Sequence, residues 1–144
     1  MSAETVRDAM VPEPTTLGAD ATAQDAGRVF AESSDVRAIF VTEEGGRLLG
    51  VVTRKTLVRE VVAAGRGPGD VMLREVAEPP NFTLDAGLEL EGAFRFLEEE
   101  DLERVPVVEE GGRLVGVLSR AVVQRRLAED EPPEGEPERD SVVL

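Results

Sequence analysis

The chain has 144 residues, with 30 acidic against 16 basic side chains and a formal net charge of −14. Its 41% hydrophobic content allows one globular domain or two small halves that share a core. It lacks Cys and His, which excludes disulfides, thiol nucleophiles, Ser–His pairs and the usual zinc sites, so no metal site is expected.

The excess of acidic residues and the hydropathy pattern indicate which classes of partner are not expected. Nucleic-acid binding requires a basic face, so no nucleic-acid partner is expected. No apolar run approaches the ~20 residues of a membrane span, and the N-terminal residues lack a signal-peptide core. These observations predict a cytoplasmic protein that does not bind a membrane.

A duplicated segment is the strongest internal signal. Residues 43–54 read EEGGRLLGVVTR and residues 109–120 read EEGGRLVGVLSR, with nine of twelve positions identical at an offset of 66. Two units of about 60 residues are too few and too long for a solenoid. The sequence therefore predicts two copies of one supersecondary unit, which pack together because neither can bury its own core.

The elements of the first copy follow in chain order. Thr22 and Asp25 form a capping-box pattern that begins a helix, with Asp20 as a competing N-cap. The paired glycines of 43–46 favour a hairpin turn. Thr53 is a suitable N-cap for a second helix, which Gly65 can end. The complete prediction is a short extended segment over 15–17, a helix from 22, strands over 37–42 and 47–52, and a helix from 53 with Leu57, Val58, Val61 and Val62 on one face.

The second copy repeats this order. It predicts an extended segment over 81–84, a helix over 89–100, strands over 104–108 and 113–118, and a helix from Ser119 to about Ala128. The fold class is α+β, with strand–helix–strand–strand–helix in each copy. The predicted boundaries are a first repeat over 1–64, a linker over 65–69, a second repeat over 70–128, and an acidic disordered tail over 129–144.

A family resemblance rests on these motifs. The first copy carries Asp-Ala-Met over 8–10, Thr-Thr-Leu over 15–17 and Gly-Val-Val-Thr-Arg over 50–54. The second carries Asp-Val-Met over 70–72, Arg-Val-Pro-Val-Val over 104–108 and Gly-Val-Leu-Ser-Arg over 116–120. The chain resembles the tandem cystathionine β-synthase (CBS) domain pair, or Bateman module, over residues 5–128. The resemblance implies that the repeats pack through their sheets with pseudo-two-fold symmetry.

The resemblance also implies a function. CBS pairs are typically regulatory modules that bind AMP, ADP, ATP or S-adenosylmethionine in clefts between the copies, as regulatory ligands and not as required cofactors. The purine would lie against a strand start, and the phosphates would approach a Thr or Ser, a basic residue and a helix N-terminus. The implied ligand-binding residues are Ile39, Phe40, Thr53, Arg54, Lys55, Thr56, Val105, Pro106, Ser119 and Arg120.

One departure from the family pattern affects the choice of cleft. The position of the family's ribose-binding Asp is Thr56 in the first copy and Val122 in the second. We expect the first-copy cleft to be the stronger anion site, because Lys55 gives it a second cation. Alternatively, Thr53 and Ser119 act only as helix caps, and the protein is a structural or partner-docking homodimer with degenerate pockets.

Catalysis is not expected, because no nucleophile or convergent acid–base pair is visible. A homodimer is expected, together with a regulated protein partner. The helix faces that carry Leu57, Val61, Phe94 and Leu97 exceed what a two-repeat core covers, which would leave them for a second copy.

Overall fold

The computed structural model describes residues 4–129, so the predicted acidic tail falls almost wholly outside the described residues. Within these residues, seven strands form two sheets, and six α-helices cover them. The strands are β1 Val11–Pro12, β2 Thr16–Gly18, β3 Ala38–Thr42, β4 Leu48–Thr53, β5 Leu84–Asp85, β6 Arg104–Glu109 and β7 Arg113–Ser119. The helices are α1 Val6–Ala9, α2 Ala23–Glu32, α3 Arg54–Leu57, α4 Leu73–Val76, α5 Leu90–Glu99 and α6 Arg120–Glu129.

The predicted α+β class and the two-repeat architecture are confirmed. The helix α2 begins at the predicted cap, where the Thr22 hydroxyl accepts from the Asp25 amide at 3.1 Å. Both hairpins turn through short 3₁₀ segments, Glu44–Gly46 and Glu110–Gly112. Gly45 and Gly46 have φ of +88°, which a side chain would resist.

The two sheets have matching topologies. In one, β2 pairs with β3 in parallel and β3 pairs with β4 antiparallel, in the order β2-β3-β4. In the other, β5 pairs with β6 in parallel and β6 pairs with β7 antiparallel, and β1 is added at the edge beside β7. The register places Val11 opposite Val117.

The segment that leads into each repeat packs against the other repeat. The Val6 amide donates to the Leu88 carbonyl, and Val6 and Ala9 lie in the core of the second repeat. Reciprocally, the Leu73 amide donates to the Ala21 carbonyl, and Leu73 and the segment around it lie in the core of the first repeat. Segments 4–12 and 71–78 are therefore exchanged between the repeats.

A pseudo-two-fold axis relates the two repeats, as the resemblance implied. Arg47 and Arg113, which occupy equivalent positions in the duplicated segment, form a β-bridge with each other. The bridges Thr5–Glu89 and Thr22–Met72 are likewise equivalent under exchange of the repeats. An ion pair between Arg7 and Glu109 also joins one repeat's leading segment to the other repeat's hairpin.

The expected helix faces are only partly correct. The helix that Thr53 begins continues past α3 as a π-helical turn, Val58–Val62. In it Val61 is buried, while Val58 and Val62 face outward, because α2 and the leading segment of the second repeat already close this core. Leu97 is also fully buried within the chain. The residues named for dimerisation are therefore mostly covered internally, and the exposed apolar side chains are different ones.

No helix within residues 4–129 is both long and apolar enough to cross a membrane.

Candidate functional site

A cavity of about 580 Å³ opens between the two repeats. Its volume is in the range of small-molecule sites. Repeat one contributes Val11, Pro14, Thr15, Asp35, Val36, Arg37, Ala38, Phe40 and Val51, and repeat two contributes Pro80, Asn81, Phe82, Leu102, Arg104, Val105, Pro106, Val117, Ser119 and Val122.

The cavity brings four of the predicted site residues together: Phe40, Val105, Pro106 and Ser119. Phe40 and Pro106 are equivalent positions at the centres of β3 and β6, and both are buried. A flat apolar ligand could therefore be held between the two strands. Ile39, in contrast, has no exposed surface and belongs to the repeat-one core, because side chains alternate between the faces of a strand.

At the start of α3, the polar groups satisfy one another. The Thr53 hydroxyl accepts from the Thr56 amide at 3.2 Å, and the Thr56 hydroxyl accepts from the Thr53 amide at 3.1 Å. The two hydroxyls lie 3.0 Å apart, and Thr56 is buried. Neither residue is in the cavity lining, so the groups expected to favour the repeat-one cleft form a helix cap there.

Arg54 is also held by the protein itself. Its guanidinium donates to the carbonyls of Val36 at 2.8 Å, Phe30 at 3.1 Å and Ser33 at 3.3 Å. These bonds tie the end of α2 and the following loop to the start of α3. Lys55 is exposed and outside the cavity lining.

The corresponding end of repeat two is more open. The Ser119 hydroxyl accepts from the Val122 amide at 3.4 Å, a long contact, and both residues line the cavity. Arg120 does not line the cavity, because it pairs with Glu103 at 2.6 Å and with Asp101 at 3.4 Å. Ser119 therefore remains as the polar group that this helix start presents to the cavity.

Two arginines that the sequence reasoning missed also line the cavity. Most arginines of residues 4–129 are paired with carboxylates. Arg37 and Arg104 have no carboxylate partner among those residues, although the chain carries nearly twice as many acids as bases. The cavity therefore presents two uncompensated cations, with Asp35 as its acidic lining residue.

Only the positions of these two arginines in the sequence could have identified them. Each arginine lies at the start of a central strand, Arg37 just before β3 and Arg104 as the first residue of β6. The sequence motifs indicated only the basic residues after the Thr and Ser caps. They gave no sign of Phe82, whose ring meets that of Phe96 edge-on, with 5.2 Å between centroids. The loop that carries Phe82 has no periodicity from which its position could be read.

Metal ligands are not grouped in the part of the chain that the structure covers. Within residues 4–129, no three His, Cys, Asp or Glu side chains are placed so that they could hold a metal ion.

Comparison with known proteins gives one consistent result. The family model of the CBS domain matches residues 6–63 and again residues 69–129. The chain is 31% identical over 125 residues to Hypoxic response protein 1 of Mycobacterium tuberculosis. The aligned region covers 87% of this chain and 86% of that protein. An 84-residue stretch is 25% identical to an uncharacterized protein of Methanopyrus kandleri and spans 43% of that protein's length.

Solved structures agree with the sequence matches. The crystal structure of Hypoxic Response Protein I with two coordinated zinc ions superposes with a TM-score of 0.72 at 30% identity, over 85% of this chain and 98% of that one. The crystal structure of CBSX2 in complex with AMP superposes with a TM-score of 0.67 at 25% identity, over 87% of this chain and 96% of that one.

Proposed function

Since this chain belongs to the CBS-domain family, we propose that it is a non-catalytic regulatory module that senses an adenine nucleotide in the cavity between its repeats. The ligand contacts would come from Phe40, Val105, Pro106 and Ser119, together with Arg37 and Arg104. Binding would alter the relative position of the repeats. A regulated protein partner would recognise that change in conformation.

The observation that carries this proposal is the pair of arginines. In a protein of charge −14, most guanidinium groups of the described residues pair with carboxylates. Arg37 and Arg104 line one cavity without such a partner among the described residues. Guanidinium groups bind phosphate with two parallel hydrogen bonds, so this arrangement favours a phosphorylated ligand.

The remaining lining supports a nucleotide over a simple anion. Phe40, Pro106 and Val117 provide an apolar surface for a base, and the nearby backbone and Asn81 provide hydrogen-bonding groups. The same cations disfavour S-adenosylmethionine, whose sulfonium is positive. AMP in the crystal structure of CBSX2 provides independent support for adenine nucleotides in this family.

Isothermal titration and thermal shift with AMP, ADP, ATP and S-adenosylmethionine test the proposal, because a ligand specific for the native state raises its apparent stability. We expect the phosphorylated ligands to bind. Arg37→Ala and Arg104→Ala should each weaken binding by about ten- to a hundredfold, from the loss of a charge-assisted contact worth ~1.5–3 kcal/mol. Lys55→Ala is the matched control: it removes one positive charge outside the cavity.

Two results would contradict the proposal. Absence of binding of every nucleotide at millimolar concentration would favour the docking homodimer with degenerate pockets. Binding that responds to Lys55→Ala but not to Arg37→Ala or Arg104→Ala would place the ligand outside this cavity.

A further inference from the structure

The sequence of segment 130–144, which follows α6, combines acidic and apolar side chains. It has six Asp or Glu residues against one Arg, and Val142, Val143 and Leu144 come after the last of the acids. A site on the protein that bound this segment would need two properties together: cations that no other carboxylate neutralises, and an apolar surface that is open to a ligand.

The cavity between the repeats has both properties. Arg37 and Arg104 line it, are exposed, and have no carboxylate partner within residues 4–129. Val11 and Val117 line it too, and Val11 is 55% exposed. The cavity is therefore complementary to segment 130–144 in charge and in apolar character.

The rest of the protein surface is less suited to an acidic segment. Acids outnumber bases in residues 1–129 as well, so most of that surface repels it. Most arginines of the described part of the chain are already paired with carboxylates. Arg95 and Arg125 are exposed and make no ion pair there, but neither lines the cavity. They offer positive charge without the apolar lining.

The length of the segment is sufficient to reach the cavity. The helix α6 begins directly after Ser119, a lining residue, and its 10 residues extend about 15 Å. An extended chain spans up to about 3.3 Å per residue, so five or six residues return that distance. Residues from about Glu136 onward can therefore contact the cavity lining.

We propose that segment 130–144 occupies the cavity of its own chain and competes there with the nucleotide. In this arrangement its carboxylates pair with Arg37 and Arg104, and its apolar residues contact Phe40 and Val117. Because the contact is intramolecular, the segment acts at an effective concentration of the order of millimolar. A nucleotide must displace it, so the apparent affinity falls with the fraction of chains whose cavity is open. The competition rests on the proposed function, whereas the docking of the segment does not.

Photo-cross-linking of the full chain tests the docking. The chain has no native Cys, so Ser141→Cys can carry a single maleimide-benzophenone label. Irradiation at low micromolar concentration should join the label to segments 35–40 or 102–106, in a product of monomer mass, 15.5 kDa plus the label. Cross-links only to residues outside the cavity overturn the proposal. A product of twice the monomer mass also overturns it, because the segment would then come from a second copy.

The arginines supply the matched variants for this experiment. In the labelled chain, Arg37→Ala combined with Arg104→Ala should reduce the cavity cross-link at least fivefold. Arg95→Ala combined with Arg125→Ala removes the same charge outside the cavity and should leave the yield unchanged. All four side chains are exposed, so far-UV circular dichroism should show the native fold in both variants. A cross-link that survives the loss of Arg37 and Arg104 overturns the proposal.

Isothermal titration with AMP tests the competition. One variant neutralises three carboxylates of the segment: Glu136→Gln, Glu138→Gln and Asp140→Asn. The control neutralises three exposed carboxylates around the end of α5: Glu98→Gln, Glu99→Gln and Glu100→Gln. The segment variant should bind AMP about three- to tenfold more tightly than wild type, and the control, which makes the same change in net charge, should gain much less. Equal gains overturn the competition. If no variant binds AMP, the proposed function is wrong, and the cross-link still decides the docking.

Discussion

The guanidinium of Arg54 lies over the ring of Phe30, with 4.7 Å between its central carbon and the ring centroid. The same guanidinium donates to three main-chain carbonyls, those of Phe30 and Ser33 at the end of α2 and that of Val36 in the following loop. Arg54 thus combines a cation–π contact with a C-terminal cap for α2. It explains why a basic residue follows the Thr53 cap without contacting the cavity.

Arg54→Ala should lower the free energy of unfolding by about 2–3 kcal/mol, because it removes the ring contact and leaves three carbonyls to other partners. Arg54→Lys should recover little, since an ammonium cannot reach several carbonyls in the same fixed geometry. The matched control is Arg120→Ala at the equivalent position of repeat two, where the side chain makes ion pairs with the exposed carboxylates of Asp101 and Glu103. That change should cost less than about 1 kcal/mol in urea denaturation. Equal losses for Arg54→Ala and Arg120→Ala would contradict the assignment.

Gly50 and Gly116 allow the exchanged segments to approach the sheets. A Cβ at Gly50 would lie 2.7 Å from the Glu78 carbonyl oxygen, and a Cβ at Gly116 would lie 2.6 Å from Met10 Sδ and 2.8 Å from the Val11 carbonyl oxygen. We expect Gly50→Ala and Gly116→Ala each to destabilise the protein by about 1–3 kcal/mol.

Gly92→Ala is the control for these two substitutions. Gly92 lies in α5 with no atom within 4 Å of an added Cβ, so alanine there should stabilise the helix by about 0.5–1 kcal/mol. Thermal melting of the three variants gives the comparison directly. Stabilisation by all three would mean that the leading segments do not pack this closely.

Glu109 links stability to pH. Its hydrogen bond from Arg7, helped by the charge of Arg113, lowers the pKa of this carboxyl below its ordinary value. A carboxylate with a depressed folded pKa contributes stability above its unfolded pKa, about 4.3, and loses that contribution as the pH falls through the folded pKa. Glu109→Gln should therefore lower the urea midpoint at pH 7, and its difference from wild type should shrink below pH 4.

Glu110→Gln provides the reference for that experiment. Glu110 is the next residue of the same turn and makes no ion pair within residues 4–129. Its substitution should leave the midpoint nearly unchanged at both pH values. A difference between Glu109→Gln and wild type that is the same at pH 7 and pH 3.5 would rule out an effect of ionisation.

Local chemistry accounts for what the sequence predicted well. The duplicated hairpin, the Thr22 cap and the succession of helices and strands along each repeat depend on residues close in the chain, and the structure confirms them. The pairing of β1 with β7 joins distant residues and was not predicted. The exposure of Val58 and Val62 to solvent could not be predicted, because it depends on which distant segment closes the core.

The candidate site was predicted only in part for the same reason. Phe40 and Pro106 occupy equivalent positions in a repeated strand, which is visible in the sequence, and both line the cavity. The position of Arg54 and Arg120 after a cap predicts anion ligands, but their partners come from α2 and from loops, up to 24 residues away along the chain. Arg37 and Arg104 are notable only by comparison with the paired arginines, which requires a three-dimensional structure.

The exchange of leading segments has a consequence for synthesis of the protein. β1 is made well before its partner strand, because Val11 pairs with Val117 of β7. Until the last strand has been made, the apolar side chains of segment 4–12 have no partner, and repeat two cannot close. The nascent chain can therefore complete the repeat-one core once segment 71–78 has been made, whereas the repeat-two core waits for β7.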